Sequence, residues 1–333
     1  MIALTKSDVP LGLIQEKSPE RIKWEQSLKE LSKPLTVNDL TEILGSTVKH
    51  DNENKVITFL TMLLTYTNSD QTNIGFLAES STGKSYLPLE LSWFFPKEDI
   101  LKLGYASPTA FFHQQGDWQT DPGDKRDVEE SKKRKVKYID LCQKILLFLD
   151  QPHDQLLQRL RSLLSHDDKE IIFEITDKTE KYGLRTKKVV IKGFPTVIFC
   201  SAQFGMEQQE KTRLLLLSPE TNQEKLRESI FFKIERESNR EAFYKRMEED
   251  SNRRLLAQRV EDVKNARIKH INIPEELRRQ IYQQFLRDHR FLIPRNQRDI
   301  SRLLAIIKGH TLLNFMHRKR TEDSIQVDRE DVE

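Results

Sequence analysis

The run Ala78-Glu79-Ser80-Ser81-Thr82-Gly83-Lys84-Ser85 has the spacing of a phosphate-binding loop, with Ala78 where such loops usually begin on glycine. These residue types in this order suit a polyphosphate. Backbone N–H groups of a tight loop turn inward toward phosphate oxygens, and the start of a following helix adds a favourable dipole. Gly83 permits the tight backbone, Lys84 is placed to reach β- and γ-phosphates, and Ser85 offers a hydroxyl to Mg2+. The expected cofactors are therefore ATP and Mg2+, with Glu79, Ser80, Ser81, Thr82, Gly83, Lys84, Ser85 and Tyr86 as the contact residues. Gly-Lys-Ser triplets also occur by chance in polar loops. Here a short apolar run at 73–78 precedes the loop and a helical pattern follows from Lys84, which favours the phosphate loop.

Further along, Ile145-Leu146-Leu147-Phe148-Leu149-Asp150 is an apolar run that ends on a carboxylate. Behind a phosphate loop, an acid at the end of a strand serves the Mg2+ shell, so Ser85 and Asp150 are the expected metal residues. The next residue is Gln151. An amide orients water but accepts a proton poorly, which argues against fast hydrolysis. Asp154 is either a substitute acid or an ordinary surface acid.

These residues need elements to hold them. Apolar runs at 73–78, Ile100–Leu103, 145–150, Thr196–Ser201 and Leu214–Leu217 are bounded by polar segments, as buried parallel strands are. Helical patterns such as 155–164 separate some of them. This alternation predicts an α/β domain with a mostly parallel sheet. Residues 1–34 read as a polar arm, 35–55 as a small helical element with Thr36 or Asn38 as N-cap, and 56–66 as an apolar helix. Beyond Pro219 the pattern becomes helical. Residues 222–269 read as long charged helix, 275–289 as a shorter one opened by Pro274, and a last amphipathic helix follows Pro294, with Ile300, Leu303, Leu304, Ile307 and Thr311 on one face. The acidic end from Thr321 is expected to fray.

With 333 residues, 37% of them hydrophobic, the chain can bury one large α/β domain and an appended helical domain. A net charge of +3 does not by itself argue for nucleic acid, so any such case rests on local clusters. Cys142 and Cys200 are too few for a four-cysteine zinc site or a disulfide framework. Cys200 lies in an apolar run and reads as a buried thiol in a reducing, cytoplasmic setting. No apolar stretch is long enough to span a membrane, and the first twenty residues lack the pattern of a secretory signal.

The order of these motifs resembles the AAA+ ATPases, and among them the motor domain of the minichromosome maintenance helicases. Two strand-like runs, one from Lys169 to Asp177 and one from Arg185 to Ile191, flank a turn containing Gly183 and stand directly before the run that ends in Ser201. This placement is similar to the pre-sensor hairpin of those helicases. The resemblance covers roughly residues 70–320. It implies that Ser201 senses the γ-phosphate and that Arg213, just before the last sheet strand, is a finger reaching the neighbouring subunit's ATP. It also implies that Arg298 is the second sensor arginine of a lid helix. The catalytic set it implies is Lys84, Asp150, Gln151, Ser201, Arg213 and Arg298. The sequence departs from the family pattern at Ser201, where asparagine is usual, and at Gln151, where glutamate is usual. A site shared between subunits implies a homo-oligomer, by analogy a hexamer.

In the helicases the hairpin tip enters the ring channel and touches DNA phosphates. The resemblance thus implies DNA contacts at Lys178, Lys181, Arg185, Lys187 and Lys188, which would be salt-sensitive and blind to base sequence. Glu174, Asp177 and Glu180 dilute that charge, and a hairpin charged only for solubility is the competing reading. The basic run 132–137 reads as a nuclear localisation run, a channel loop or a solvated face. Trp118, in a Gly- and Asp-rich insertion, reads as a base-stacking ring or a packing residue.

The expected architecture is an α/β AAA+ P-loop core with a parallel sheet and a C-terminal helical lid. An N-terminal arm and helical segment cover 1–50, the ATPase core 51–220 with its hairpin near 169–195, the lid 221–320, and a flexible acidic tail 321–333. The expected function is an ATP-driven motor on single-stranded or forked DNA, a helicase or translocase for a genome or mobile element. The alternative is an ATP-switched helicase loader or initiator with slow hydrolysis. A protein remodeller is disfavoured, since no aromatic-Val-Gly channel loop is evident.

Overall fold

The computed structural model describes residues 33–104, 116–121, 135–150, 170–177, 185–202 and 212–333, with single helical positions between 155 and 164. For residues 175–177 and 185–187 it describes the backbone alone. Leu35–Glu333 forms one compact unit. The arm expected at 1–34 lies outside the described residues except at Lys33 and Pro34.

Helix α1 (Val37–Gly45) starts on Thr36, whose hydroxyl accepts from the Asp39 N–H while the Asp39 carboxylate accepts from the Thr36 N–H. This reciprocal cap satisfies two otherwise unpaired donors. Helix α2 (Asn52–Leu63) follows, extended by a 3-10 turn at Leu64–Tyr66, and is buried along most of its length. It is an interior helix lying between the sheet and the C-terminal helices. Strand β1 (Asn73–Leu77) then leads through residues 78–85 into helix α3 (Tyr86–Leu91), which continues as a 3-10 turn at Ser92–Phe94. Pro88 sits in the first turn of α3, where its missing N–H breaks no helical bond.

Strands β2 (Ile100–Leu103), β5 (Ile145–Phe148), β8 (Thr196–Ser201) and β9 (Leu214–Leu217) join β1 in a parallel sheet of order β2-β5-β8-β1-β9. All of β5 and β8 is buried, as expected for strands covered on both faces. The five apolar runs singled out in the sequence are these five strands.

A second sheet was not foreseen. Strands β3 (Asp117–Thr120), β4 (Lys135–Asp140), β6 (Glu170–Asp177) and β7 (Arg185–Lys192) form it in the order β3-β4-β7-β6. The expected hairpin is present as the antiparallel β6–β7 pair, from Glu170 opposite Lys192 to Asp177 opposite Arg185. It is joined by β4, parallel to β7. Alternate residues Ile139, Val189 and Ile191 share a core cluster with Leu146, Phe148, Val197 and Phe199. The small sheet therefore covers one face of the central sheet. The opposite face, with Ile145, Leu147, Ile198 and Cys200, packs on α2 and α3.

The stretch expected as one long helix is three: α4 (Gln223–Ser238), α5 (Arg240–Glu249) and α6 (Ser251–Ala266). Asn239 and Asp250 interrupt it because each side chain accepts from an N–H three residues on and starts a new helix. After β10 (His270–Asn272) come α7 (Glu275–Asp288) and α8 (Asn296–Leu313), both near their expected positions. Gly309 of α8 meets α2 so closely that a Cβ there would lie 2.9 Å from the Leu60 Cβ and carbonyl. The helical part and the α/β part thus share one core, with Leu256, Val260 and Leu312 beside Leu40, Phe59 and Leu60.

The acidic tail expected to fray at 321–333 is packed instead. Strand β11 (Ser324–Gln326) pairs with β10, Ile325 and Val327 are buried, and a capped 3-10 turn at Arg329–Asp331 buries the Asp331 carboxylate against Arg318 and His310. A tail that pairs Asp331 with Arg318 and His310, pairs Glu333 with Arg329 and buries two branched side chains has no reason to fray. Among the described residues no helix is long and apolar enough to cross a membrane.

Candidate functional site

Three strand ends converge at the carboxyl edge of the central sheet. In an open α/β sheet this edge is where ligands bind. β1 ends at Leu77, paired with Ser201 of β8, and the Ala78 N–H donates to the Ser201 carbonyl at 3.3 Å. β5, on the other side of β8, carries Leu149 and the exposed Asp150 just past its end. The buried Ser201 thus lies on the strand between the loop strand and the Asp150 strand.

The loop itself is bent by two left-handed residues, Ser81 (φ 68°) and Gly83 (φ 92°). Glycine suits the second, and a serine at the first is held by its surroundings against a modest steric cost. The Thr82 hydroxyl donates to the Glu79 carbonyl at 2.9 Å, and Lys84 Nζ folds back to the same oxygen at 3.1 Å. Ser85 Oγ donates to the Leu149 carbonyl at 3.5 Å, which sets it one residue from Asp150. Tyr86 points away from the loop, with its phenol donating to the Thr47 carbonyl at 3.0 Å. Beneath the loop, Cys200 Sγ donates to the Lys84 carbonyl at 3.4 Å, and burial pushes its thiol up to about 11. It is a neutral packing group at pH 7, as its apolar run suggested.

One contact was not legible in the sequence. Lys225, in the first turn of α4, is buried and ion-paired with the equally buried Asp51. Its ammonium also donates to the Glu220 carbonyl at 2.8 Å and to the Thr82 carbonyl at 3.4 Å. Asp51 in turn accepts from the Glu220 N–H at 2.7 Å. The loop is thereby tied to the start of the helical part. Neither residue stood out in sequence, because one sits in a polar loop and the other in a helix crowded with charge.

The arginines stand at the opposite edge. Arg213 precedes β9, whose Leu214 pairs with Asn73 at the amino end of β1. The four residues of β9 span about 13 Å at about 3.3 Å each. Arg213 Nη1 donates to the Arg161 carbonyl at 3.3 Å. Arg298 donates to the Thr212 hydroxyl, so α8 brings it beside Arg213 and not beside the loop at 78–85. Arg302, passed over in the sequence, fixes this arrangement by donating to the Thr212 and Leu214 carbonyls at 2.8 and 2.7 Å.

Gln151, Asp154, Lys178 and Lys181 lie outside the described residues, and of Arg185 and Lys187 only the backbone is described. Lys188 is half-buried and stands opposite Glu174. Of the basic run 132–137, residues 135–137 belong to β4. Lys137 is buried with its ammonium 5.9 Å from the ring centre of Trp118, its cross-strand neighbour, and burial pulls its pKa down. A channel or solvated role is thus excluded for Lys137, and Trp118 packs on it.

The donor set fits a magnesium–nucleotide. The loop offers an ammonium and backbone N–H groups, and Ser85 and Asp150 stand together at the strand ends. Among the described residues no cluster of three or more His, Cys, Asp or Glu could hold a metal alone. A Mg2+ ion here would share its shell with phosphate oxygens and water, as Mg2+ commonly does. The chain matches no family model and no curated protein sequence.

Proposed function

We propose that the chain is an ATP-dependent oligomeric motor of the AAA+ type acting on DNA, a helicase or translocase in the replication of a genome or mobile element. The observation that carries this reading is the convergence of the phosphate loop, Ser201 and Asp150 at one edge of a parallel sheet, with Arg213 and Arg298 together at the other. Lys84 and the loop N–H groups would hold the phosphates of ATP, and Ser85 and Asp150 would serve Mg2+. The bound nucleotide would supply the phosphoryl group whose charge Mg2+ and Lys84 offset. Arg213 and Arg298 lie together before β9, at the end of the sheet away from their own loop, and on this reading they would serve a neighbour's. The β6–β7 hairpin, with Lys178, Lys181, Arg185, Lys187 and Lys188, is the element read as touching DNA phosphates.

Steady-state ATP hydrolysis, with and without single-stranded DNA at low and moderate salt, tests this. Turnover stimulated by DNA, with the stimulation falling as salt rises, is expected. Tight binding without turnover under every condition would replace the motor by the second reading, a nucleotide-switched loader or initiator, which Gln151 favours. A mixing experiment tests the shared site. Arg213→Ala and Lys84→Ala subunits, each inactive alone, are expected to regain partial turnover when mixed, because some interfaces then join an intact loop to an intact arginine. No recovery in verified mixed assemblies would remove Arg213 from the site.

A further inference from the structure

Tyr86, Leu89, Glu90 and Trp93 follow one another at three- and four-residue steps, and so share one face of α3 and of the 3-10 turn that extends it. Across from that face stand Phe243 and Tyr244 of α5, and the two sides enclose a cavity of about 560 Å3. A cavity of this volume suits a small molecule. Trp93 and Tyr244 are 42% and 53% exposed, so the aromatic walls reach solvent and leave a way in.

Two opposite charges line this cavity without pairing. Arg253 of α6 is 2% exposed. Its Nη1 donates to the Ser46 and Thr47 hydroxyls at 3.0 Å and its guanidinium stacks 4.6 Å from the Trp93 ring centre, but its Nε is buried without a hydrogen-bond partner. Glu90 is half-buried on the facing helix. Burial pushes the Glu90 carboxyl up and the Arg253 guanidinium down, and the charge that each feels most is the other's. A hydrogen bond with Thr47 offsets the burial of Glu90 only in part. Among the described residues no ion pair joins Glu90 or Arg253 to any partner. The other charged groups on the cavity are better served. Lys97, Lys102 and Glu248 are exposed to water, and Arg236 donates to the Glu237 carboxylate at 3.4 Å. A buried charge without a partner is costly, and perturbed ionisable groups in a cleft mark ligand sites.

We propose that this cavity binds a free α-amino acid with an aromatic side chain. Arg253 meets its carboxylate, Glu90 meets its ammonium, and Trp93, Phe243 and Tyr244 enclose its ring. A plain anion would answer Arg253 and be repelled by Glu90, and a plain cation would do the reverse. A dipolar head satisfies both charges at once, which is how the cavity discriminates. A residue within a peptide carries neither terminal charge, so the free amino acid is the form selected. The walls add the stacking and edge contacts that aromatic rings make with one another.

Ligand-observed NMR titrations of the full chain with L-phenylalanine, hydrocinnamate and phenethylamine test this. Hydrocinnamate keeps the ring and carboxylate without the ammonium, and phenethylamine keeps the ring and ammonium without the carboxylate. No nucleotide is added, so the outcome is independent of what the loop at 78–85 binds. L-phenylalanine is expected to saturate one site per chain and to bind roughly tenfold or more tighter than either analogue, because each analogue strands one charge. Glu90→Gln is expected to weaken L-phenylalanine by roughly tenfold or more and to leave hydrocinnamate no weaker, since only the ammonium contact is lost. Hydrocinnamate binding by that variant also shows that the cavity is intact. Tyr244→Ala, which truncates an exposed ring, should weaken all three ligands together. A parent chain that does not saturate below about 10 mM, far weaker than a built site gives, would overturn the assignment. So would analogues that bind as tightly as the amino acid, or a Glu90→Gln variant that keeps the parent's affinity for it.

Discussion

Lys84→Ala will lower ATP turnover by a factor on the order of 10²–10³ and leave the melting temperature nearly unchanged. On the proposed reading the size follows from removing the positive charge that would offset the transferring phosphoryl group. The stability side follows from the geometry. Lys84 Nζ donates to the Glu79 carbonyl on an exposed loop, so truncation strands no buried group and should cost within about 0.5 kcal/mol. Turnover and a thermal melt on the same preparation check both halves. Undiminished turnover would refute the phosphate-loop assignment. Lost turnover with a collapsed melt would mean that Lys84 supports the fold, which its surroundings do not suggest.

The central sheet was legible because its strands are buried on both faces and so read as unbroken apolar runs, as at 145–148 and 196–201. The run 78–85 stood out because phosphate binding would require fixed residue types at fixed spacing, and the structure places it as a bent loop between β1 and α3. What escaped detection has a physical reason in each case. β3 and β4 lie in a charge-rich insertion, and burial of Lys137 against Trp118 runs against the usual meaning of a basic run. The helix breaks at Asn239 and Asp250 depend on side-chain caps that cost no proline or glycine. Charge made the tail look solvated, but Ile325 and Val327 are the positions that decide it, and with Val332 they make only three apolar residues in thirteen, a weak pattern. Arg298 and Arg302 differ by one helical turn, and sequence alone could not say which of them anchors α8 and which is left at the edge.

The same tail supplies the largest expected effect on stability. Asp331→Ala is expected to destabilise the fold by roughly 3–5 kcal/mol. The Asp331 side chain is wholly buried. It accepts from Arg318 Nη2 at 2.6 Å and Nε at 2.8 Å, from the Thr311 hydroxyl at 3.0 Å and from the Asp328 N–H at 2.9 Å, and His310 Nδ1 lies at 2.7 Å. Truncation would leave the Arg318 guanidinium, whose side chain is 3% exposed, buried without its carboxylate. The melting temperature should fall by roughly 5–8 °C, and limited proteolysis should open the chain near β11 first. Glu330→Ala, one residue away and exposed, removes the same charge and should change stability by no more than about 0.5 kcal/mol. Equal effects of the two would mean that bulk acidity and not the buried pair holds the tail. Acid supplies an independent check. Burial alone would raise the Asp331 carboxyl, but hydrogen bonds from His310 and Arg318 outweigh it and hold it down at about 2, against 3.8 when unperturbed. A carboxyl whose pKa is depressed by folding contributes stability in full above its unfolded value and loses it as pH falls through the folded one. The difference in stability between the parent chain and Asp331→Ala should therefore hold from neutral pH down to about 4 and shrink between about 4 and 2.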